Sequence, residues 1–474
     1  MRLFVFVMLA TLSAMPTATF AQSSPSEGVL FNNISQASST GPGRSLPDKS
    51  LVHRQGAGAK KFHVNSQRLQ GTLEKLSEFG RNPEGGVTRL GYSDTDLAAR
   101  DYVIGLMKQA GLEVRVDPAG NIFGKRAGSE NLPILLFGSH IDSVLKGGNF
   151  DGDVGSLGAI EVIQALNEGS MKTRHPLEVV IWANEEGNHF GLSTMGSAIA
   201  AGELGPEILE RNDEQGLTVA DWLRRYGQDP AHLKDARIAR DALAGYLELH
   251  IEQGPNLDEA KIPIGVVQGI VGLKRWRCVA TGFANHAGTT PMDRRKDALA
   301  AASRELLAVR EVVRAEKGRQ VGTVGYVKVE PGAVNVIPGR VEFPVEMRDL
   351  DAGKIDRMWE QIQEKFKLID KEENVETRCT AFEDITPART DASMQAAIRE
   401  AANSLGLSTM DLPSGAVHDA QQMAKLAPFG MIFVPSRDGI SHSPKEFTSW
   451  QDIANGAEVL YRSVLLVDGQ LDCK

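Results

Sequence analysis

Cysteine is scarce in this sequence: Cys278, Cys379 and Cys473 are the only three in 474 residues. So few exclude a fold that depends on a disulfide framework. Clustered lysine and arginine are also missing, and the formal net charge of -9 argues against nucleic acid or another polyanion as partner. No internal repeat is present, and no low-complexity segment outside an N-terminal arm. The apolar run near the start is too short to anchor the chain in a bilayer.

What is present is the composition of a soluble globular protein, 42% hydrophobic and 24% charged, with length enough for two or three domains. The opening stretch MRLFVFVMLATLSAMPTATFA sets one Arg before an apolar run and ends on small residues at Ala21, the layout of a secretory signal peptide. The expectation is an exported protein, periplasmic or in the secretory pathway, with no stable membrane anchor after cleavage. Residues 22–61, rich in Ser, Gly, Pro and Asn, read as a flexible arm.

The richest stretch is Ile134 to Gly158, ILLFGSHIDSVLKGGNFDGDVGSLG. An apolar run reads as a buried strand ending at His140 and Asp142. A glycine-rich turn then leads through Asp151 into a helix at Val154–Leu166. In an open α/β sheet, ligands collect at that junction. The strand Leu177–Ala183 delivers Asn184, Glu185 and Glu186, and the strand Tyr246–His250 ends in an imidazole with Glu252 and Gln253 beyond it. Imidazoles and carboxylates gathered at strand ends are the donors that borderline divalent ions take. Bland alternatives stay open at single residues: a solvated loop carboxylate for Asp142, a surface ion pair for Arg348, a turn residue for Asn335.

From about Pro263 to Arg378 the pattern changes to strand, helix, strand, strand, helix, strand: Ile264–Thr281, Lys296–Glu316, Val321–Val329, Val341–Arg348, Asp351–Ile369 and Val375–Ala381. That βαββαβ order matches a ferredoxin-like split motif. The fold class expected is α/β: a discontinuous catalytic domain, 62–262 and 379–468, interrupted by an inserted lid or dimerisation domain at 263–378.

Eight ordered motifs, GSHIDSV, GGNFDG, NEEG, LELHIEQG, NHAGTTPM, AVNVIPG, EMRD and GISHSP, resemble the di-metal amidohydrolases that include N-carbamoyl-L-amino-acid hydrolase, β-ureidopropionase and allantoate amidohydrolase. These sit within the aminoacylase and carboxypeptidase superfamily. The resemblance spans about Phe62 to Val467. It implies two divalent ions per subunit, drawn from Zn, Mn, Co or Ni, with Asp151 bridging, His140 and His250 on one ion, and Glu186 and His442 on the other. It casts Glu185 as general base and Asp142 as the carboxylate that orients His140. Gln253, His286, Asn335 and Arg348 become substrate contacts, with Arg348 on the substrate carboxylate and His286 arriving from the partner of a homodimer. The implied substrate is a small carbamoyl or ureido acid, hydrolysed at a C–N bond to release ammonia and carbon dioxide. Val417, before His418 and Asp419, departs from the glycine of many relatives. Two rivals are an exported di-metal peptidase or N-acyl amino acid deacylase, and a non-catalytic binder on the same scaffold.

Overall fold

The computed structural model describes residues 64–213 and 215–470, all within one compact unit. The expected leader at 1–21 and the arm at 22–61 lie outside the described residues, as does Cys473.

A nine-stranded mixed sheet organises the chain. At its centre, strands Leu177–Trp182, Ile134–His140, Leu243–Ile251 and Phe429–Val434 run side by side and parallel. LEVVIW at 177–182 is buried at every position, as expected of a parallel strand covered on both faces. The helix after the glycine turn, Asp153–Glu168, is buried almost all round, which places it inside the protein rather than on its surface. Because the four central strands are parallel, their C-terminal ends share one edge of the sheet. Antiparallel strands Glu113–Val116 and Ile122–Arg126 extend one flank. On the other, Ile264–Ile270 pairs with Phe429–Val434 and also with Thr409–Ser414 and Ala388–Arg389.

A separate five-stranded antiparallel sheet holds Lys328–Glu330, Arg340–Asp349, Gly272–Thr281 and Glu376–Ile385 in that order, with Val321–Thr323 also on Arg340–Asp349. Along Arg340–Asp349 burial alternates residue by residue, the period-2 pattern of a strand with one face packed and one polar. The packed face, with Trp276, Val341, Phe343, Val345 and Met347, shares a core with helices Ala298–Ala315 and Ala352–Glu373. Asp297 caps the first helix by accepting the N–H groups of Leu299 and Ala300.

Three expectations need correcting. The strand foreseen at Ile264–Thr281 is two strands in two sheets, broken at Val271, so a boundary at 262/263 falls one strand early. Apolar content runs through the break, and periodicity alone cannot reveal a change of partner. The boundary at 378/379 falls inside Glu376–Ile385, which stays in the second sheet throughout. Val321–Val329 is two short strands, Val321–Thr323 and Lys328–Glu330. One disulfide does form, between Cys278 and Cys379, which face each other on adjacent antiparallel strands. Two Cys on neighbouring strands are a single staple, and sparse cysteine did not announce it.

Candidate metal centre

His140, at the end of its strand, is 2% exposed, and His250 is 1% exposed. His140 Nδ1 lies 3.0 Å from the Asp142 main-chain oxygen, and His250 Nδ1 lies 3.0 Å from that of Ile251. A carbonyl oxygen only accepts, so each Nδ1 carries a hydrogen and each Nε2 faces the site, as the nitrogen that would bind a cation there. The two Nε2 atoms lie 3.9 and 3.2 Å from Asp151 Oδ1. The other oxygen, Asp151 Oδ2, lies 3.0 Å from His442 Nε2, which is 3.6 Å from Glu186 Oε1. Three donor clusters result, His140–Asp151–His250, Asp151–Glu186–His442 and Glu248–His250–His418, each with its ligand atoms within 4.8 Å of one another. Asp151 belongs to the first two, and the third shares His250 with the first.

The donor set fits a pair of cations. His250 Nε2 is buried and has no aligned hydrogen-bond partner, although a carboxylate oxygen stands close by. Imidazole and carboxylate donors converging on a common point are what a borderline divalent ion requires.

Glu185 shares the pocket, its Oε2 3.9 Å from His140 Nε2. Burial, then the charges of Asp419, Glu186 and Asp142, raise its carboxyl well above the ordinary range. Burial, then the charge of Asp151, does the same to Glu186. Burial pushes His140 down to about 4. For His250, Asp151 outweighs burial and holds the imidazole up at about 9, and a hydrogen bond to Asp151 sets His442 at about 9 as well. Burial opposes the charge of Asp151, yet the two imidazoles hold it well below the carboxylate range. Asp151 thus favours the protonated forms of His250 and His442, and cations bound there would displace those protons.

Asp142 does something other than expected. Its carboxylate lies 3.8 Å from His140 Nδ1 and instead accepts the N–H groups of Glu185 and Glu186 at 3.0 and 3.1 Å. It holds the Asn184–Glu186 turn, while its main-chain oxygen orients His140. That turn is strained: Asn184, like Gln253 and His442, has a left-handed backbone, with φ of 54°, 57° and 53° respectively. Such strain in non-glycine residues persists where surrounding structure over-determines it.

The glycines of the loop act by close approach. A β-carbon at Gly152, where φ is +68°, would lie 2.5 Å from the His140 ring. One at Gly148 would collide with the Glu446 carboxylate.

Of the expected substrate contacts, Gln253 and Arg348 line the same cavity of about 390 Å3 as the donor clusters, with Val417, His418, Arg275 and Glu383. Gln253 Nε2 donates to Asp151 Oδ2 at 2.8 Å. His286 and Asn335 do not reach it. They sit together in the open, His286 on a two-residue strand paired with Val336–Ile337, and the Asn335 carbonyl accepts the Ala287 N–H at 2.9 Å.

Two residues that sequence reading missed hold the loop. Glu446 Oε1 accepts the N–H groups of Phe150 and Asp151 at 2.9 and 3.1 Å, while its Oε2 accepts the Ser441 hydroxyl at 2.8 Å. It thereby ties the Asp151 loop to the His442 loop. Arg89, 1% exposed, donates from Nη2 to both Asp153 oxygens at 2.8 and 2.7 Å and from Nε to the Ile141 carbonyl. Nothing local marks either one, because Phe150 and Asp151 lie hundreds of residues from Glu446, and Ile141 and Asp153 lie tens of residues from Arg89.

Comparison with known proteins follows the same outline. Residues 136–466 match Peptidase family M20/M25/M40. N-carbamoyl-L-amino acid amidohydrolase of Geobacillus stearothermophilus is 43% identical over 402 residues, 85% of this chain and 98% of that protein. Ureidoglycolate hydrolase of Arabidopsis thaliana is 39% identical over 414 residues, 85% of this chain and 86% of that one. Among solved structures, a hydantoinase/carbamoylase family amidase of Burkholderia multivorans superposes with a TM-score of 0.81 at 38% identity, covering 86% of this chain and 98% of its own.

Proposed function

This chain belongs to peptidase family M20/M25/M40, and we propose that within it the protein is a metal-dependent amidohydrolase of N-carbamoyl-L-amino acids or a related ureido acid. The observation that carries the reading is the convergence of His140, Asp151, Glu186, His250 and His442 on one cavity that also holds Glu185 and Arg348. The names of the relatives support the substrate class.

His140, Asp151 and His250 would hold one divalent ion, and Asp151, Glu186 and His442 the other, with Zn, Mn, Co and Ni all suited to such donors. Bound there, the ions supply Lewis acidity, which polarises a carbonyl and brings the pKa of water from near 16 to roughly 7. Glu185 takes the proton of the attacking water and returns it to the departing nitrogen. Its raised proton affinity makes it a stronger base for that exchange than an ordinary carboxylate. Gln253, bound to Asp151, steadies the bridging carboxylate and faces the ureido group. Arg348 grips the substrate carboxylate with a planar fork that a lysine lacks. Product nitrogen leaves as ammonia, and the carbamoyl carbon as carbon dioxide.

The second sheet with its two helices, in the order strand, helix, strands, helix, strand, serves in this reading as a ferredoxin-like lid inserted in the catalytic domain. His286 and Asn335, exposed and away from the cavity of their own chain, would complete the site of a second copy in a homodimer. The signal-like leader and the Cys278–Cys379 disulfide both suit export to an oxidising compartment. Among the described residues no helix is long and apolar enough to cross a membrane.

Ammonia release from N-carbamoyl-L-amino acids and from ureidoglycolate, assayed with Mn or Zn added back, tests the proposal against dipeptide and N-acyl amino acid cleavage. Turnover of the carbamoyl or ureido acids alone is expected. Cleavage of dipeptides in their place would make the protein a peptidase.

A further inference from the structure

The polar face of the second sheet carries a row of alternating charge. Glu346, Arg275 and Glu383 stand directly opposite one another on three adjacent strands, Glu346 in register with Arg275 and Arg275 in register with Glu383. That last pairing depends on an irregularity. Between Ala381 and Glu383 the ladder skips Phe382, a bulge that puts the carboxylate, rather than the phenyl ring, opposite Arg275.

The contacts follow the register. Arg275 Nε donates to Glu346 Oε2 at 2.6 Å, and its Nη1 donates to Glu383 Oε2 at 2.5 Å. Arg348 Nε donates to the other Glu346 oxygen at 2.7 Å, and its Nη1 to the Gly415 carbonyl at 2.9 Å. Glu346 is thus shared by two guanidinium groups. Arg275 is consumed by its two carboxylates, whereas Arg348 Nη2 has no hydrogen-bond partner among the described residues. Arg348, Arg275 and Glu383 all line the cavity of the metal centre.

Two physical consequences meet at Arg348. A free arginine loses much rotamer freedom when it grips a ligand, and one already held by its Nε and Nη1 loses less. A lone Glu346 beside it would repel an incoming anion, but Arg275 neutralises that carboxylate and Glu383 in turn balances Arg275. The row of two guanidinium groups and two carboxylates is neutral overall, and an anion meets it at the Arg348 end, where a guanidinium nitrogen still faces the cavity.

We infer that Glu346, Arg275 and Glu383 form a positioning row that presets Arg348 and so determines the preference of this site for substrates bearing a carboxylate. The inference rests on the reading that Arg348 takes the substrate carboxylate.

The test uses the metal-loaded enzyme with two substrates, an N-carbamoyl amino acid and the matching N-carbamoyl amine without its carboxylate. The quantity compared is the ratio of their kcat/KM values, or of their inhibition constants where the amine turns over too slowly. Arg348→Ala is expected to collapse that ratio by about a hundredfold, the scale of a lost charge-assisted fork. Glu346→Gln and Arg275→Gln are each expected to lower it about tenfold, with the change carried by KM for the acid. Arg275→Lys is expected to restore part of it, because charge is kept and the fork is lost. If Arg348→Ala collapses the ratio while Glu346→Gln and Arg275→Gln leave it alone, or depress acid and amine equally, the row is only structural and the inference fails while the carboxylate reading stands. If Arg348→Ala itself leaves the ratio intact, the carboxylate reading fails and takes the inference with it.

Discussion

The two sheets handle charge in opposite ways. At the C-terminal edge of the first, imidazoles and carboxylates other than the half-exposed His442 are almost fully buried and pressed together in excess of what they can satisfy among themselves, so that Glu185 and Glu186 resist ionisation and His250 Nε2 lacks an aligned partner. On the polar face of the second, charges are half-exposed and close in pairs, Arg275 with Glu346 and Glu383, and Arg348 with Glu346. A buried, under-compensated cluster is costly unless something positive fills it. A half-exposed, balanced row costs little and can be spent on recognition. Chemistry and selectivity are therefore divided between the sheets.

The sharpest way to break that division is Glu185→Gln, which keeps the shape of the cluster and removes its proton carrier. Loss of about a hundredfold to ten-thousandfold in kcat is expected, with metal content by elemental analysis unchanged. Near-normal turnover would remove Glu185 from the chemistry.

Gly152→Ala comes next. A β-carbon 2.5 Å from the His140 ring, on a backbone with φ of +68°, must displace either the histidine or the helix that starts beside it. Strain of about 1 to 3 kcal/mol is expected to appear as roughly tenfold or greater weakening of metal affinity, read by competition with a chelator. Unaltered affinity would mean that the loop yields freely and that the first sheet is less rigid than the contrast requires.

The smallest effect lies in the second sheet's own core. Glu305, on helix Ala298–Ala315, is buried, and burial, opposed by Thr377 and reinforced by Asp370, raises its carboxyl from 4.5 to about 8. The folded state therefore binds this proton more tightly than the unfolded state. The stability it contributes is complete below about pH 4.5 and is lost as pH rises through about 8, with a slope of roughly 1 kcal/mol per pH unit at most. Glu305→Gln, uncharged throughout, is expected to flatten the fall in Tm between pH 5 and pH 8.5 by a degree or two. Parallel curves for the two proteins would show that this carboxyl carries no proton in the fold.

How much of this was legible beforehand varied with the range of the interaction. His140, Asp151, Glu186, His250 and His442 could be selected because each stands at a strand end or in a glycine loop, and strand ends are visible as changes in apolar pattern. Ser93 caps its helix within local range, its oxygen accepting the N–H of Asp96 three residues on. The Asp96 carboxylate accepts from the Tyr92 N–H and the Tyr226 hydroxyl, the second of which is far away in sequence. Asp142 stands out at its strand end, but its carboxylate serves the Glu185–Glu186 turn, a contact across 43 residues that no local rule foresees. Glu446 stays hidden in the sequence for the same reason, because its service to Asp151 spans 295 residues.

The residues alone determined the class of chemistry: donor types, their places at the ends of apolar strands, and the ordered motifs suffice to state a hydrolase with a metal-binding centre, since these depend on local pattern and side-chain chemistry. Only the tertiary structure decided which backbone carbonyl orients each imidazole, where one sheet hands over to the other at Val271, and that Glu383 rather than Phe382 faces Arg275. Those outcomes depend on the register and packing of segments remote in the chain, and register is a property of pairs of strands that neither strand carries by itself.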